Sequence, residues 1–356
     1  MRQYTSQTAR QSLRRWIIAV ALLGVAGIII WQLWPSGNGK DKGKGGPDGK
    51  PVVKAAGAGD GHAAAGKLVD AGRPASTQRA AMDNLIRMDD LSPAAALEAV
   101  KKGTSLLAEK KVAEGRAALS EALLSGTLPA LSAENVRKTL ADLSDKMLMS
   151  AEIFDGDPYT YQYTCKSGDV LVKVERTEKL HVPIEAILKI NHIADAGKIR
   201  SGQTIKLIRG PFHAVVDKSA FTMDLYLHRE GCAPAFVRRL RVGLGKNGST
   251  PLGLWRVKLG TKQPRANWFP PPNAPERRSI RWGEPGYPLG TKGYWIGLEG
   301  TDDVTRSHTG YGIHGTNDPT SIGKSESLGC IRLADPDIEL VFSLLYESWS
   351  TVKVRS

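Results

Sequence analysis

The sequence holds no cysteine–histidine cluster at zinc-ligand spacing, no glycine loop of the phosphate-binding kind and no dinucleotide fingerprint. Each absence removes a class of chemistry, and together they lead us to expect neither metal nor organic cofactor. Cysteine is scarce, with only Cys165, Cys232 and Cys330 in 356 residues. Cys165 and Cys232 lie in different predicted modules; they could pair in an oxidising compartment, but sequence carries no geometry to decide it. The folded stretches also lack a basic run with interleaved aromatics, which argues against a nucleic-acid partner. The net charge of +13 does not reverse that reading, because 12 Lys/Arg against 4 Asp in residues 1–80 account for eight of those charges.

One long apolar run is present. Trp16 to Trp34 is nineteen residues with Gln32 its only strongly polar side chain, enough for one bilayer crossing at about twenty residues. Tryptophans stand at both ends, as at a membrane interface. The run exceeds a signal-peptide core of roughly 7–15 residues and no small-x-small cleavage site follows it directly, so it reads as an uncleaved anchor. Arg2, Arg10, Arg14 and Arg15 precede it without an acidic residue among them, favouring a cytoplasmic tail at 1–15. Lys40, Lys42, Lys44 and Lys50 follow, interspersed with Asp41 and Asp48. Residues 35–77, rich in Gly, Ala, Lys and Pro, cannot bury enough apolar surface to fold and read as a flexible, basic tether.

Residues 78–150 carry helical periodicity. Ser92-Pro93 is an N-cap followed by proline at the first helical position. Val136, Leu140, Leu143 and Met147 form one apolar stripe, as Val112, Leu119 and Leu123 do on the preceding helix. The segment resembles tetratricopeptide-type hairpins. So short an array buries little by itself, and we expect it to dock on a neighbour or dimerise.

From residue 211 the pattern changes to short alternating runs: Phe221 to Leu227, Leu240/Val242/Leu244, Trp255/Val257/Leu259 and Tyr294/Ile296/Leu298. Gly and Pro between them suggest a sandwich or barrel, with a short helix at Asp337–Tyr346 packed on it. Trp268-Phe269 followed by three prolines cannot continue a central strand and reads as a long loop, a candidate lid over the site. Within this region stand Tyr311-Gly-Ile-His314-Gly315-Thr316 and Ser327-Leu328-Gly329-Cys330-Ile-Arg332. A cysteine attacks a carbonyl as its thiolate, and an imidazole is the usual group that takes its proton. His314 and Cys330 are sixteen residues apart; they cannot share a helix face, but two strand ends could bring them together. A glycine-containing turn before the cysteine can aim consecutive N–H groups at an oxyanion. A buried small hydrophobe beside a core histidine is the other reading of the pair.

These residues resemble the L,D-transpeptidase catalytic domain of bacterial cell-wall enzymes along some 145 residues, 211–356. His314-Gly315-Thr316, Ile322-Gly323 and Ser327-x-Gly329-Cys330-x-Arg332 carry the resemblance, with Thr250-Pro-Leu-Gly253, Trp268-Phe-Pro-Pro271 and Gly286 to Gly290 as further landmarks. It implies that Cys330 attacks the carbonyl between residues three and four of a peptidoglycan stem tetrapeptide and forms a thioester. An amine acceptor then takes the acyl group and cross-links the wall. His314 would be base and later acid, the Gly315 carbonyl its orienter, and the N–H groups of Leu328, Gly329 and Cys330 the oxyanion hole. Arg332 would engage a substrate carboxylate or shape the turn; Thr316 and Ser327 would line the substrate site or stabilise turns. Asp318 and Asp335 read as turn and helix-start residues. Where the family has a second histidine, this chain has Leu328. Hydrolysis of the same acyl-enzyme, an L,D-carboxypeptidase, is the alternative within enzymes; a non-catalytic wall-binding scaffold is the alternative outside them.

Upstream, residues 160–208 resemble a lysin motif, the β-α-α-β module that binds N-acetylglucosamine-containing glycans. Tyr163, Lys166, Gly168-Asp169, Leu171, Val182, Ile187-Leu188, Asn191, Ile199 and Gly202-Gln203 carry that resemblance. Cys165 replaces the aliphatic residue usual before the lysine, and the run Lys173 to Lys179 is unusually charged. The expected whole is a multidomain α+β protein anchored once in a bacterial inner membrane. Its catalytic domain would lie in the periplasm or cell-wall space and meet peptidoglycan stem peptides and glycan strands. A short connection around Arg209 to Phe212 leads us to expect that residues 1–209 are separable from the chemistry.

Overall fold

A computed structural model describes residues 91–270 and 277–356. The chain divides into units 1–68 and 69–356, and every described residue lies in the second. The expected tail, anchor and tether, residues 1–77, lie outside the described residues. Among the described residues no helix is long and apolar enough to cross a membrane.

Three helices come first: α1 (Pro93–Ala108), α2 (Val112–Leu124) and α3 (Ala130–Met147). The Ser92 hydroxyl accepts the Ala95 N–H, satisfying one of the donors a helix start leaves unpaired. There follow β1 (Thr160–Thr164), α4 (Leu171–Glu178), α5 (Ile184–Ile190) and β2 (Thr204–Ile208). β1 and β2 pair antiparallel. Asn191, at the end of α5, fastens the middle of β2 by donating to the Lys206 carbonyl and accepting the Lys206 N–H.

The remaining residues form β3 (Phe212–Asp217), β4 (Thr222–Leu227), β5 (Ala235–Arg241), β6 (Leu244–Gly245), β7 (Gly253–Val257), β8 (Trp295–Gly300), β9 (Gly312–Gly315), β10 (Ser325–Ser327), β11 (Ile331–Leu333), α6 (Asp335–Leu344) and β12 (Thr351–Arg355). Eight strands make one mixed sheet in the order β11-β9-β8-β7-β12-β3-β4-β5. β6 and β10 form a separate parallel pair. Beyond β5, Gly243 exchanges both backbone hydrogen bonds with Arg332 of β11, at 2.9 and 2.8 Å. This single bridge, just past the end of β5, links the two edges of the sheet at one point and satisfies the backbone groups of that pair.

Two local expectations need correcting, and one open question is answered. The last helix starts at Asp335, two residues early, because Pro336 suits a first turn that also holds Asp335 and Asp337. Leu259 is exposed: the strand through Trp255 and Val257 ends before it. Cys165 and Cys232 are both free thiols.

Separability is the larger correction. One continuous core runs from Met147 through Leu171, Ile187 and Leu207 to Phe212, Leu225 and Val352, so β1–β2 and the large sheet share an interior. The helices join it too. Leu119, Leu123, Val136 and Leu140 pack on Tyr226 and Phe236 of the sheet, and the Ser144 hydroxyl donates to the Phe236 carbonyl at 2.8 Å. The apolar stripe of α3 thus finds its partner within the chain, over edge strand β5. Arg116 of α2 pairs with Asp157 at 2.7 Å, the two side chains 2% and 0% exposed. Asp157 also accepts from the Tyr159 N–H and the Thr160 hydroxyl, so the buried charge is fully bonded. Lys206, equally buried, donates to the carbonyls of Met147 and Glu152.

Candidate active site

β9 and β11 lie side by side and run parallel, with Ile313 opposite Ile331 and His314 opposite Arg332. Cys330 immediately precedes β11. Parallel pairing brings together two residues from separate motifs, and period-two alternation puts Cys330, Arg332 and His314 on one face.

His314 is 7% exposed. Its Nδ1 lies 2.6 Å from the Gly315 carbonyl; a carbonyl only accepts, so Nδ1 carries the proton and Nε2 keeps its lone pair. Burial lowers the imidazole to a pKa of about 4, aided by the charge of Arg332 and opposed by the Gly315 carbonyl. At Cys330 burial raises the thiol to about 11, opposed by the nearby Gly312 N–H and by the charge of Arg332, and the sulfur donates to the Gly310 carbonyl at 3.8 Å. Both groups are therefore neutral near pH 7. Any proton transfer between them awaits the moment of attack.

The turn before Cys330 is pinned from several sides. The Ser327 hydroxyl donates to the Cys330 carbonyl at 2.6 Å and accepts the Gly329 N–H at 3.1 Å. Thr250 donates to the Gly329 carbonyl and accepts the Gly245 N–H, each at 2.8 Å. Gly329 has φ +136°, and a Cβ there would sit 2.7 Å from the Tyr311 ring, so only glycine fits. The Leu328 side chain, 40% exposed, points outward. A small solvent-open recess lies beside the turn, lined by Thr250, Trp255, Tyr311 and Gly312 among others.

Of the other expected site residues, Thr316 closes a turn by donating to the Asp318 carbonyl and accepting its N–H. Asp318 in turn caps residues 319–321 through the Thr320 N–H. Asp335 holds the N–H and hydroxyl of Thr291. Arg332 is half-buried and makes no ion pair among the described residues. The described residues contain no group of three or more His, Cys, Asp or Glu able to hold a metal. Two residues were given no role from sequence. Thr250 sits in a tetrapeptide noted only as a family landmark, which reads by itself as a plain β-turn. Trp295, whose ring stacks on His314 at 5.6 Å and 16°, falls between the alternating positions Tyr294 and Ile296 and is not singled out by that pattern.

Residues 211–354 match the family model of the L,D-transpeptidase catalytic domain. The chain is 29% identical over 183 residues to the Bacillus subtilis (strain 168) protein YkuD, named as an L,D-transpeptidase, in an alignment covering 49% of this chain and 88% of that one. It is 32% identical over 110 residues to ErfK/SrfK of Escherichia coli (strain K12), named likewise, covering 28% of this chain and 32% of the relative. Among solved structures it is similar to an L,D-transpeptidase from Mycobacterium smegmatis at 17% identity, covering 44% of this chain and 64% of that chain, with a TM-score of 0.29.

Proposed function

Taking residues 211–354 as the L,D-transpeptidase catalytic domain they match, we propose that Cys330 is its nucleophile and His314 its base in a reaction that cross-links peptidoglycan stems. The observation that carries this is the fixed tautomer of His314, with Nδ1–H on the Gly315 carbonyl and Nε2 free, one strand away from Cys330.

The Cys330 sulfur attacks the carbonyl carbon between residues three and four of a stem tetrapeptide while its proton passes to His314 Nε2. The tetrahedral oxyanion takes N–H donors from the turn. The Gly329 N–H is engaged by Ser327, so Leu328 and Cys330 supply them. The C–N bond breaks, the fourth residue leaves as an amine with the proton returned by His314, and a thioester remains. An acceptor amine attacks that thioester, His314 takes its proton, and the thiol is restored. Arg332, without a carboxylate partner among the described residues, would receive a carboxylate of the substrate in its planar fork. Thr316 and Ser327 shape the turns around it.

We read residues 160–208 as a lysin motif presenting glycan strands to this site. Its supports are the strand-helix-helix-strand order, the turns at Gly168 and Gly202 with φ near +80°, and the Asn191 clasp on β2. Residues 16–34 would anchor the chain in the inner membrane, with 35–77 as tether and the folded part in the periplasm or wall space. Incubation of the full chain with purified tetrapeptide muropeptides, followed by mass spectrometry, tests the reaction. Cross-linked products with release of residue four are expected; tripeptides alone would mean that water is the acceptor and the enzyme a carboxypeptidase.

A further inference from the structure

Trp295 and His314 are direct cross-strand partners on β8 and β9. Their rings lie nearly parallel, 16° apart with centroids at 5.6 Å. The same indole also covers Gly312: a Cβ there would meet its six-membered ring at 2.7 and 2.8 Å. Gly312 lies one residue before the Ile313–Ile331 pair, beside Cys330, and its N–H works to lower the thiol's pKa; the sulfur itself donates to the Gly310 carbonyl at 3.8 Å. One side chain thus lies against His314 and against the residue beside Cys330 on β9. On its other side Trp295 packs on the small cluster of Ala266, Ile280, Tyr287 and Leu289, and its backbone is paired with Gln263 in both directions at 2.9 Å. It cannot swing aside without disturbing that loop.

We propose that Trp295 is a positioning residue for the reaction, holding the plane of the His314 ring and excluding water from His314 and from the Gly312–Cys330 contact. The inference rests on the reading of His314 and Cys330 given above. Its physical content is twofold. A flat apolar face over an imidazole whose Nδ1 is already tied to Gly315 leaves the ring one orientation. The same face keeps water from solvating an imidazolium, which agrees with the lowered pKa of His314, where burial is the largest cause. The charged and titratable groups that face His314 from the neighbouring elements are Arg332 and Cys330 from the β11 side; Tyr311, three residues before it, packs on Trp255 and His308 instead. Asp335, at the head of α6, approaches Gly315, and Arg265 lies over Trp282 in the adjoining loop. Of these Arg332 opposes protonation, and it stays in place when Trp295 is changed.

The test is an NMR titration of ring-labelled histidine in the full chain, with His314→Gln to assign the signal, for wild type, Trp295→Ala, Trp295→Leu and Trp295→Phe. The His314 midpoint should rise by at least about 1 pH unit in Trp295→Ala, towards the ordinary value of about 6.5. It should move less in Trp295→Leu and stay near wild type in Trp295→Phe, which keeps a flat ring. Acylation at pH 5 relative to pH 7 should fall by about twofold for a midpoint rise of about 1 unit, and further for a larger rise, in Trp295→Ala, as the protonated fraction implies, and recover in Trp295→Phe. If Trp295→Ala does not fold, the order of Phe, Leu and wild type decides. Equal midpoints across the folded variants would overturn the inference. The titration needs no substrate, so its failure is distinct from failure of the Cys330 assignment, which would show as transfer by Cys330→Ala.

Discussion

Thr250 Oγ1 donates to the Gly329 carbonyl at 2.8 Å across 79 residues of chain. It accepts the Gly245 N–H at the same distance, so one buried hydroxyl sets both the turn that presents Cys330 and the strand beneath it.

Thr250→Val should therefore strand two buried backbone groups. The expected cost is about 1–3 kcal/mol of stability, together with slower Cys330 acylation, and Thr250→Ser should restore both. Thermal melting and acylation rates of the two variants check this. A valine variant that acylates at the wild-type rate would show that the turn holds without the hydroxyl.

At Leu328 the exposed side chain and the backbone N–H are expected to differ in importance. Leu328→His should change acylation by less than about tenfold, under roughly 1.4 kcal/mol of barrier. Leu328→Pro removes the donor and should cost about 10²–10³ in rate. Circular dichroism of each variant separates this from misfolding. A gain of several hundred-fold in Leu328→His would give the absent histidine a role of its own.

Much of the candidate site was legible because it is local. His314 and Cys330 lie in short, chemically marked segments, and the alternating runs at Phe221–Leu227 and Tyr294–Leu298 do form strands, although every residue of β4 is buried. Ser92-Pro93 likewise marked a helix start that the Ser92 hydroxyl caps. What sequence did not carry is long-range. Tyr226 and Phe236 look like ordinary strand residues, and only the sheet order puts them under Leu119 and Leu140. Lys206 looks like a solvent-facing strand lysine, yet its ammonium is enclosed by the Met147 and Glu152 carbonyls. Thr250 and Trp295 act through partners 79 and 19 positions away, and no local pattern announces either. Leu259 misled because alternation continues in the sequence after the strand has ended.

The shared core gives a different expectation for truncation than the short connector near Arg209 suggested. Removing residues 1–209 would uncover Phe212, Tyr226 and Phe236, and we expect an aggregating product or a fall in melting temperature above about 10 °C. Within the intact chain, Arg116→Ala leaves Asp157 buried without its partner and should cost about 3–5 kcal/mol. A truncated protein with a wild-type melting curve would contradict the shared interior.

Acid should destabilise the protein in part through His314. Its imidazole titrates near about 6.5 when unfolded and at about 4 when folded. Between those values the unfolded chain binds more protons, so this contribution is complete above about pH 6.5 and is lost as pH falls towards 4. The loss by pH 4.5 should be about 2 kcal/mol, on the scale of 1.36 kcal/mol per unit. In urea melts at pH 7.5 and 4.5, His314→Gln should lose less stability than wild type by roughly that amount. Identical losses would mean that His314 is not held neutral by the fold.

The central claim is the covalent role of Cys330, and intact-protein and peptide mass spectrometry after brief incubation with a tetrapeptide muropeptide measure it most directly. The account predicts an acyl adduct on the peptide containing Cys330, absent in Cys330→Ala and strongly reduced at neutral pH in His314→Ala. An adduct on any other residue, or transfer by the Cys330→Ala protein, would contradict it.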